Sequence, residues 1–239
     1  MTDQKPTVVL VHGAFAESSS WNGVIERLQA QSVSVVAAAN PLRSLSGDAA
    51  YVRDVVASID GPVVLVGHSY GGMVITEAGA KNDAVVGLVY VDAFVPDHGQ
   101  SALDLSGEFP GSTLGDTLAS YPLADGGVDL AIRPDAFHHQ FAADVDDRTA
   151  ALMAVTQRPV AQAALAEGLP TDAPAWKTVP SWCVFSDADL NIPVAEHRAG
   201  AERAGARGVR EVPGGSHALS VSQPGPVAET ILEALAALR

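Results

Sequence analysis

Val63-Val64-Leu65-Val66-Gly67-His68-Ser69-Tyr70-Gly71-Gly72 is the stretch whose reading decides the fold. Four β-favouring apolar residues run straight into Gly67-His68-Ser69-Tyr70-Gly71, and a helical pattern follows. The run suits a strand covered on both faces. The glycine–X–serine–X–glycine that ends it has the form of a nucleophile elbow, a serine at the tip of a sharp strand-to-helix turn. Such a turn needs small neighbours, because strand and helix pack closely and the serine backbone is strained; Gly67 and Gly71 supply the space. Ser69 also stands near a helix N-terminus, where unpaired N–H groups, that of Tyr70 among them, can hold a developing oxyanion.

The surrounding chain alternates. Thr7–Val11 is a β-branched run that ends in His12-Gly13-Ala14-Phe15. A helix is expected over 20–30, with Trp21, Val24, Ile25 and Leu28 on one face. A strand over 33–39, a helix opening at Gly47-Asp48, the elbow strand, a helix over 69–80 and a strand over 83–92 complete a β-α-β-α-β-α-β rhythm. That rhythm implies a mostly parallel, doubly wound sheet with helices on both faces and right-handed crossovers. Ligands bind such sheets at the carboxyl ends of the strands, where the loops after Val11 and Val66 both lie. The rhythm breaks at Pro96. Residues 96–176 are rich in turn residues and lack a strong strand signal, with helices expected around 116–120, 134–144, 148–155 and 160–167. This reads as a helical cap inserted after the fourth strand, over a core made of 1–95 and 177–239. A strand over 179–186, a helix over 193–204, a strand over 208–212 and a helix over 226–238 bring the expected sheet to about six strands.

Composition narrows the function. The formal net charge of −14 argues against nucleic acid or an anionic membrane as partner. No apolar run approaches the ~20 residues needed to span a bilayer. Met1–Pro6 leads directly into a strand with no secretory apolar segment, so a cytoplasmic location is expected. The single cysteine, Cys183, excludes an intrachain disulfide and a cysteine-rich metal site.

A serine hydroxyl needs an adjacent base, and the base needs a group that fixes its tautomer. His217 follows the last strand in a glycine-rich loop, Pro213-Gly214-Gly215-Ser216-His217, and is the candidate base. His98, His138 and His139 fall in the insertion, and His197 lies on a helix of mixed charge. Asp189, Asp187 and Asp92 are candidate acids, each following a strand.

These motifs together resemble the α/β-hydrolase superfamily: His12-Gly13-Ala14-Phe15, Gly67–Gly71, Ser186-Asp187-Ala188-Asp189-Leu190-Asn191-Ile192-Pro193 and Gly215-Ser216-His217. The resemblance runs from about Thr7 to the C-terminus, apart from the cap. In the family the acid precedes an apolar residue and a proline by three and four positions, which matches Asp189 with Ile192 and Pro193. The second oxyanion donor is a backbone N–H after the His-Gly pair, here Ala14 or Phe15, beside that of Tyr70. The opening looks most like the small-esterase branch that holds plant methylesterases and hydroxynitrile lyases. The similar lyases replace the glycine after the first histidine and place a lysine after the catalytic one; Gly13 and Ala218 therefore point to an esterase. The resemblance implies a Ser69–His217–Asp189 triad cleaving a small-molecule carboxylic ester without metal or organic cofactor, in a monomer or homodimer. Phe15, Phe94 and Phe137 are expected at the substrate, with Phe109 and Phe141 as further contributors. Acyl transfer, lactone opening, C–C hydrolysis, perhydrolysis and a receptor role are alternatives on the same fold.

Overall fold

The computed structural model describes residues 4–238. Its strands are β1 (Thr7–Val11), β2 (Val35–Ala38), β3 (Val63–His68), β4 (Val85–Val91), β5 (Leu118–Pro122), β6 (Val128–Ile132), β7 (Val160–Ala161), β8 (Ser181–Ser186) and β9 (Gly208–Val212). Its helices are α1 (Asn22–Ala30), α2 (Leu45–Ala57), α3 (Gly71–Ala78), α4 (Ala102–Ser106), α5 (Pro134–Phe141), α6 (Asp147–Thr156), α7 (Gln162–Ala166), α8 (Val194–Arg203), α9 (Leu219–Ser222) and α10 (Pro224–Ala237).

Six strands form one sheet in the order β2-β1-β3-β4-β8-β9, every neighbouring pair parallel. Successive side chains of a strand point to opposite faces, so unbroken apolar runs feed two cores. Val8, Leu10, Val64 and Val66 pack under α1 and α10 with Trp21, Leu28 and Ile231. Val9, Val11, Val63 and Leu65 face α2 and α3 with Val52, Val56 and Met73. All eight strand residues are fully buried. The chain order reverses between β1 and β3, since β2 lies outside β1 and later strands extend the other edge. Loops leaving a sheet at such a point diverge and open a crevice. Val11 is level with Gly67, and His68 with Val91, so the loops after β1, β3 and β4 emerge side by side.

The insertion between β4 and β8 departs from the expected helical cap. It carries α4, α5, α6 and α7, but also a three-stranded antiparallel sheet, β5-β6-β7. The helix expected around 116–120 is a short 3-10 turn, Leu114–Thr117, that runs into β5. β5 is half-exposed and short, so it lacks the apolar run that announces the core strands. The signal was the turn: Asp125-Gly126 with Gly126 at φ 90°, closed by Leu123 N–H donating to the Gly127 carbonyl at 2.8 Å. The cap shares the core on the α2/α3 side through Phe137, Phe141, Val160 and Leu165. Polar contacts pin it as well: Arg43 meets Asp129 at 2.8 Å, and Asp144 of the cap accepts from the Ser216 N–H at 3.2 Å. Among the described residues, no helix is long and apolar enough to cross a membrane.

Candidate active site

Ser69 sits between β3 and α3 at φ 56°, in the left-handed region that a residue with a Cβ rarely adopts. The turn is held from both sides. Ser69 N–H donates to the carbonyls of Val91 and Asp92 at 3.2 and 3.1 Å, and the Ser69 carbonyl accepts from Gly72 and Phe94 at 2.9 and 3.3 Å. The glycines are required by space: a Cβ on Gly67 would lie 2.5 Å from the Gly71 carbonyl oxygen. Gly13 reaches the elbow from the β1 loop, and a Cβ there would lie 2.6 Å from Ser69 Cβ and 2.7 Å from the His68 carbonyl oxygen.

The two expected N–H donors, Ala14 and Tyr70, carry no intramolecular hydrogen bond among the described residues, and both line the same cavity as Ser69. Phe15 is different. Its N–H donates to the Arg158 carbonyl at 3.2 Å, so of the two alternatives after the His-Gly pair it is Ala14 whose donor is unengaged. Phe15 itself has φ 61° and lines the cavity.

His217 lies beside the elbow. His68, next to Ser69, donates from Nε2 to the His217 carbonyl at 2.8 Å, and the two rings stand 4.7 Å apart. Burial, with His217 as the next contributor, lowers the His68 pKa to about 3, so this ring is a neutral strut. Phe141 of the cap packs edge-on against the His217 ring at 4.9 Å. His217 Nδ1 meets Asp189 Oδ2 at 2.6 Å. The carboxylate accepts, so Nδ1 carries the proton and Nε2 carries the basic lone pair.

Of the three candidate acids, Asp189 is the one that reaches the ring. Its Oδ1 accepts from the N–H groups of Asn191 and Ile192 at 2.7 and 3.0 Å, which lock the carboxylate at the head of the loop before α8. Burial raises its pKa, but the charge of His217 and the hydrogen bonds from His197 and His217 outweigh this and hold it below the usual carboxylate range. Asp187 instead accepts from the Gly214 N–H at 2.6 Å and shapes the turn after β9. Asp92, at the end of β4, accepts from the Ser186 N–H and hydroxyl at 2.6 and 2.7 Å. Burial first, and Asp189 second, push its pKa up to about 8.

The cavity over Ser69 measures about 350 Å³. Phe15 and Phe94 line it, together with Leu103, Leu114, Leu130 and Leu165 of the cap, and no charged side chain does so among the described residues. Phe137 corrects the expectation: it is fully buried and stacks on Phe141 at 5.0 Å, inside the cap's own base and away from the cavity. The i,i+4 spacing of Phe137 and Phe141 on α5 explains the pairing. Phe109 does not line the cavity either. The sequence pattern offers no role for His68, offers Asp92 only as an alternative acid and leaves His197 on a helix of mixed charge, yet their rings and carboxyl surround the Asp189–His217 pair. Asp92, Asp189 and His197 place ligand-type atoms within 4.8 Å of one another. Asp92 Oδ1 and both oxygens of Asp189 already accept from protein donors, so the cluster reads as a hydrogen-bond network rather than a cation site.

Over 212 residues the chain is 28% identical to the Alpha/beta hydrolase nvfD of Aspergillus novofumigatus (strain IBT 16806), covering 79% of this chain and 80% of that one. Over 60 residues it is 48% identical to a carbendazim hydrolyzing esterase of Nocardioides sp. (strain SG-4G), a match spanning only 23% of this chain and 25% of that relative. Among solved structures, polyneuridine aldehyde esterase superposes with a TM-score of 0.81 at 24% identity, over 96% of this chain and 99% of its own. A pyrethroid hydrolase from Sphingobium faniae JZ-2 superposes with a TM-score of 0.76 at 20% identity, over 97% and 98%. At these identities the superpositions speak to the fold. The profile of the alpha/beta hydrolase family matches residues 8–230, from β1 into α10, and the chain belongs to that family.

Proposed function

We propose that the chain is a serine hydrolase that cleaves carboxylic esters of small, neutral, largely apolar molecules. The observation that carries this is the 2.6 Å contact of His217 Nδ1 with Asp189 Oδ2 beside a strained serine that opens into an apolar cavity. Ser69 Oγ attacks the ester carbonyl while His217 Nε2 takes its proton. The tetrahedral oxyanion is received by the N–H groups of Ala14 and Tyr70. His217 returns the proton to the leaving alcohol, and the acyl-enzyme forms. Water, deprotonated by the same Nε2, then attacks the acyl carbon; Ser69 leaves and regains the proton. Asp189 stays ionised throughout and stabilises the imidazolium. The esterase names among the relatives support the reading. So do Gly13 and Ala218, because the lyase pattern needs a larger residue at the first and a lysine at the second. An uncharged lining of about 350 Å³ favours uncharged acyl and alcohol groups, since an ion there would lose its hydration without a partner.

The test is labelling with a fluorophosphonate, read by intact mass, together with turnover of p-nitrophenyl acetate and butyrate. The wild type gains one phosphonyl adduct and releases nitrophenolate, and Ser69→Ala does neither. A wild type that gives neither adduct nor turnover overturns the proposal.

A further inference from the structure

Resting on the triad proposed above, we infer that His197 is a positioning residue: its Nε2–H shares Asp189 Oδ2 with His217 and sets how much of that carboxylate's charge the base receives. His197 lies on α8, eight positions after Asp189. Pro193 starts the helix in a direction that brings this side chain back over the loop it has just left. Its ring stacks nearly flat on Phe185 of β8, at 5.3 Å and 17°, and its side chain is 1% exposed. Nε2 stands 3.1 Å from Asp189 Oδ2 and 3.8 Å from Asp92 Oδ1. The same Asp189 oxygen lies 2.6 Å from His217 Nδ1.

Two consequences follow from one oxygen accepting from two imidazoles. The Asn191 and Ile192 N–H groups hold Oδ1, and His197 is a second donor to Oδ2, so rotating the carboxylate away from the base would break three other hydrogen bonds. The negative charge is also divided between two donors. Without His197 the whole of it acts on His217, whose protonated form is then favoured to higher pH. His197 has a further neighbour in Asp92, whose Oδ2 is buried with no hydrogen-bond partner among the described residues. One ring nitrogen therefore stands close to two buried carboxyl groups whose own oxygens lie within 4.8 Å of each other.

Other titratable groups around the network are identifiable. His68, on the β3 side, is neutral over the working range. Asp144 of the cap bonds Ser216 and Gln223. Glu196, raised to about 7 by burial, faces Arg203 and through it Glu108. Asp92 titrates at the alkaline end.

The experiment compares wild type, His197→Leu and His197→Gln, with Glu196→Gln as control for the second group that titrates in this range. The Gln amide nitrogen occupies about the place of His Nε2 and keeps a neutral donor. The kcat/KM profile for p-nitrophenyl butyrate is followed from about pH 5 to about pH 9. The downfield Nδ1–H resonance of His217 is followed without substrate. In His197→Leu, kcat/KM falls roughly tenfold or more, the size expected for a hydrogen bond to a charged group. Its acid limb moves to higher pH, and the His217 resonance shifts. His197→Gln restores the limb and the resonance. A role in packing alone would lower the folded fraction and leave the limb in place. If the wild type turns over and His197→Leu keeps both its limb and its resonance, the positioning role is wrong while the hydrolase reading stands. If the wild type neither turns over nor takes the phosphonate, the hydrolase reading fails, and the resonance still decides whether His197 acts on His217.

Discussion

Gly13 shows how much a single side chain can decide. Its Cα approaches Ser69 so closely that an added Cβ would lie 2.6 Å from Ser69 Cβ. The His68 carbonyl belongs to the end of β3 and the Ser69 backbone is held by its own hydrogen bonds, so an added methyl displaces the loop or the elbow. Gly13→Ala is expected to push the elbow off its geometry and lower kcat/KM at least about a hundredfold, since displacements of about 1 Å carry that cost. Circular dichroism checks that the fold survives. Asp189→Asn tests the acid. The amide keeps the shape, but only one of its two ends can accept, so it cannot serve both the Asn191 and Ile192 N–H groups and the His217 Nδ1–H; a fall of about 10⁴-fold in kcat is expected, as for equivalent changes in serine triads. Asp92→Asn is expected to lower kcat far less, because Asp92 meets Ser186 and not His217. Equal losses in the two variants would sink the choice of acid. At this scale the sequence was most legible. Ser69, His217 and Asp189 each follow a strand within a few residues, so their placement depends on strand ends that the apolar runs already mark. His197 was not legible: it stands on a helix of mixed charge, and its partner is reached only when α8 folds back on its own preceding loop.

Among the elements, the core strands and the cap behave differently. β1, β3, β4 and β8 are long apolar runs, and burial on both faces makes such runs readable. β5 and β6 are half-exposed and gain their order from each other, so their pattern is weak. α5 gives a test of what the cap's aromatics do. Phe137 is fully buried against Phe141, whereas Phe94, just beyond β4, lines the cavity. Phe137→Ala is expected to cost about 3–5 kcal/mol of stability in urea melts. Its KM should be unchanged wherever the protein is folded. Phe94→Ala is expected to raise KM for p-nitrophenyl butyrate by roughly tenfold through lost apolar contact. The reverse assignment, with KM moving in Phe137→Ala and not in Phe94→Ala, would overturn the description of the cavity wall.

The whole molecule stores a pH dependence in Asp92. Burial raises its folded pKa from 3.8 to about 8. Between those values the folded state holds a proton that the unfolded state has released. The folded state therefore binds more protons, and stability declines as pH rises through this window. Asp92→Asn removes that term. The melting temperature of the variant relative to wild type is expected to climb from about pH 4 to about pH 8 and to level off above it. A difference that stays flat across this range would show that Asp92 is ionised in the fold.

Local chemistry along the chain determined the parallel sheet, the elbow and the candidates for serine, base and acid. Each rests on short-range rules: apolar runs make buried strands, glycines permit a tight turn, and functional side chains ride on strand ends. Tertiary structure alone decided the rest. It chose Ala14 over Phe15 as the unengaged donor, by giving the Phe15 N–H to a cap carbonyl 143 positions on, at Arg158. It moved Phe137 from the substrate to the cap's base and built a small sheet where a helix was expected. It also set His197 against Asp189. The physical reason differs with the case. The Phe15 N–H finds its carbonyl only when the cap packs on the β1 loop. Phe137 and His197 have partners close in sequence, but which way each side chain faces is set by the packing of its helix. The half-exposed hairpin strands carry no apolar run to announce them.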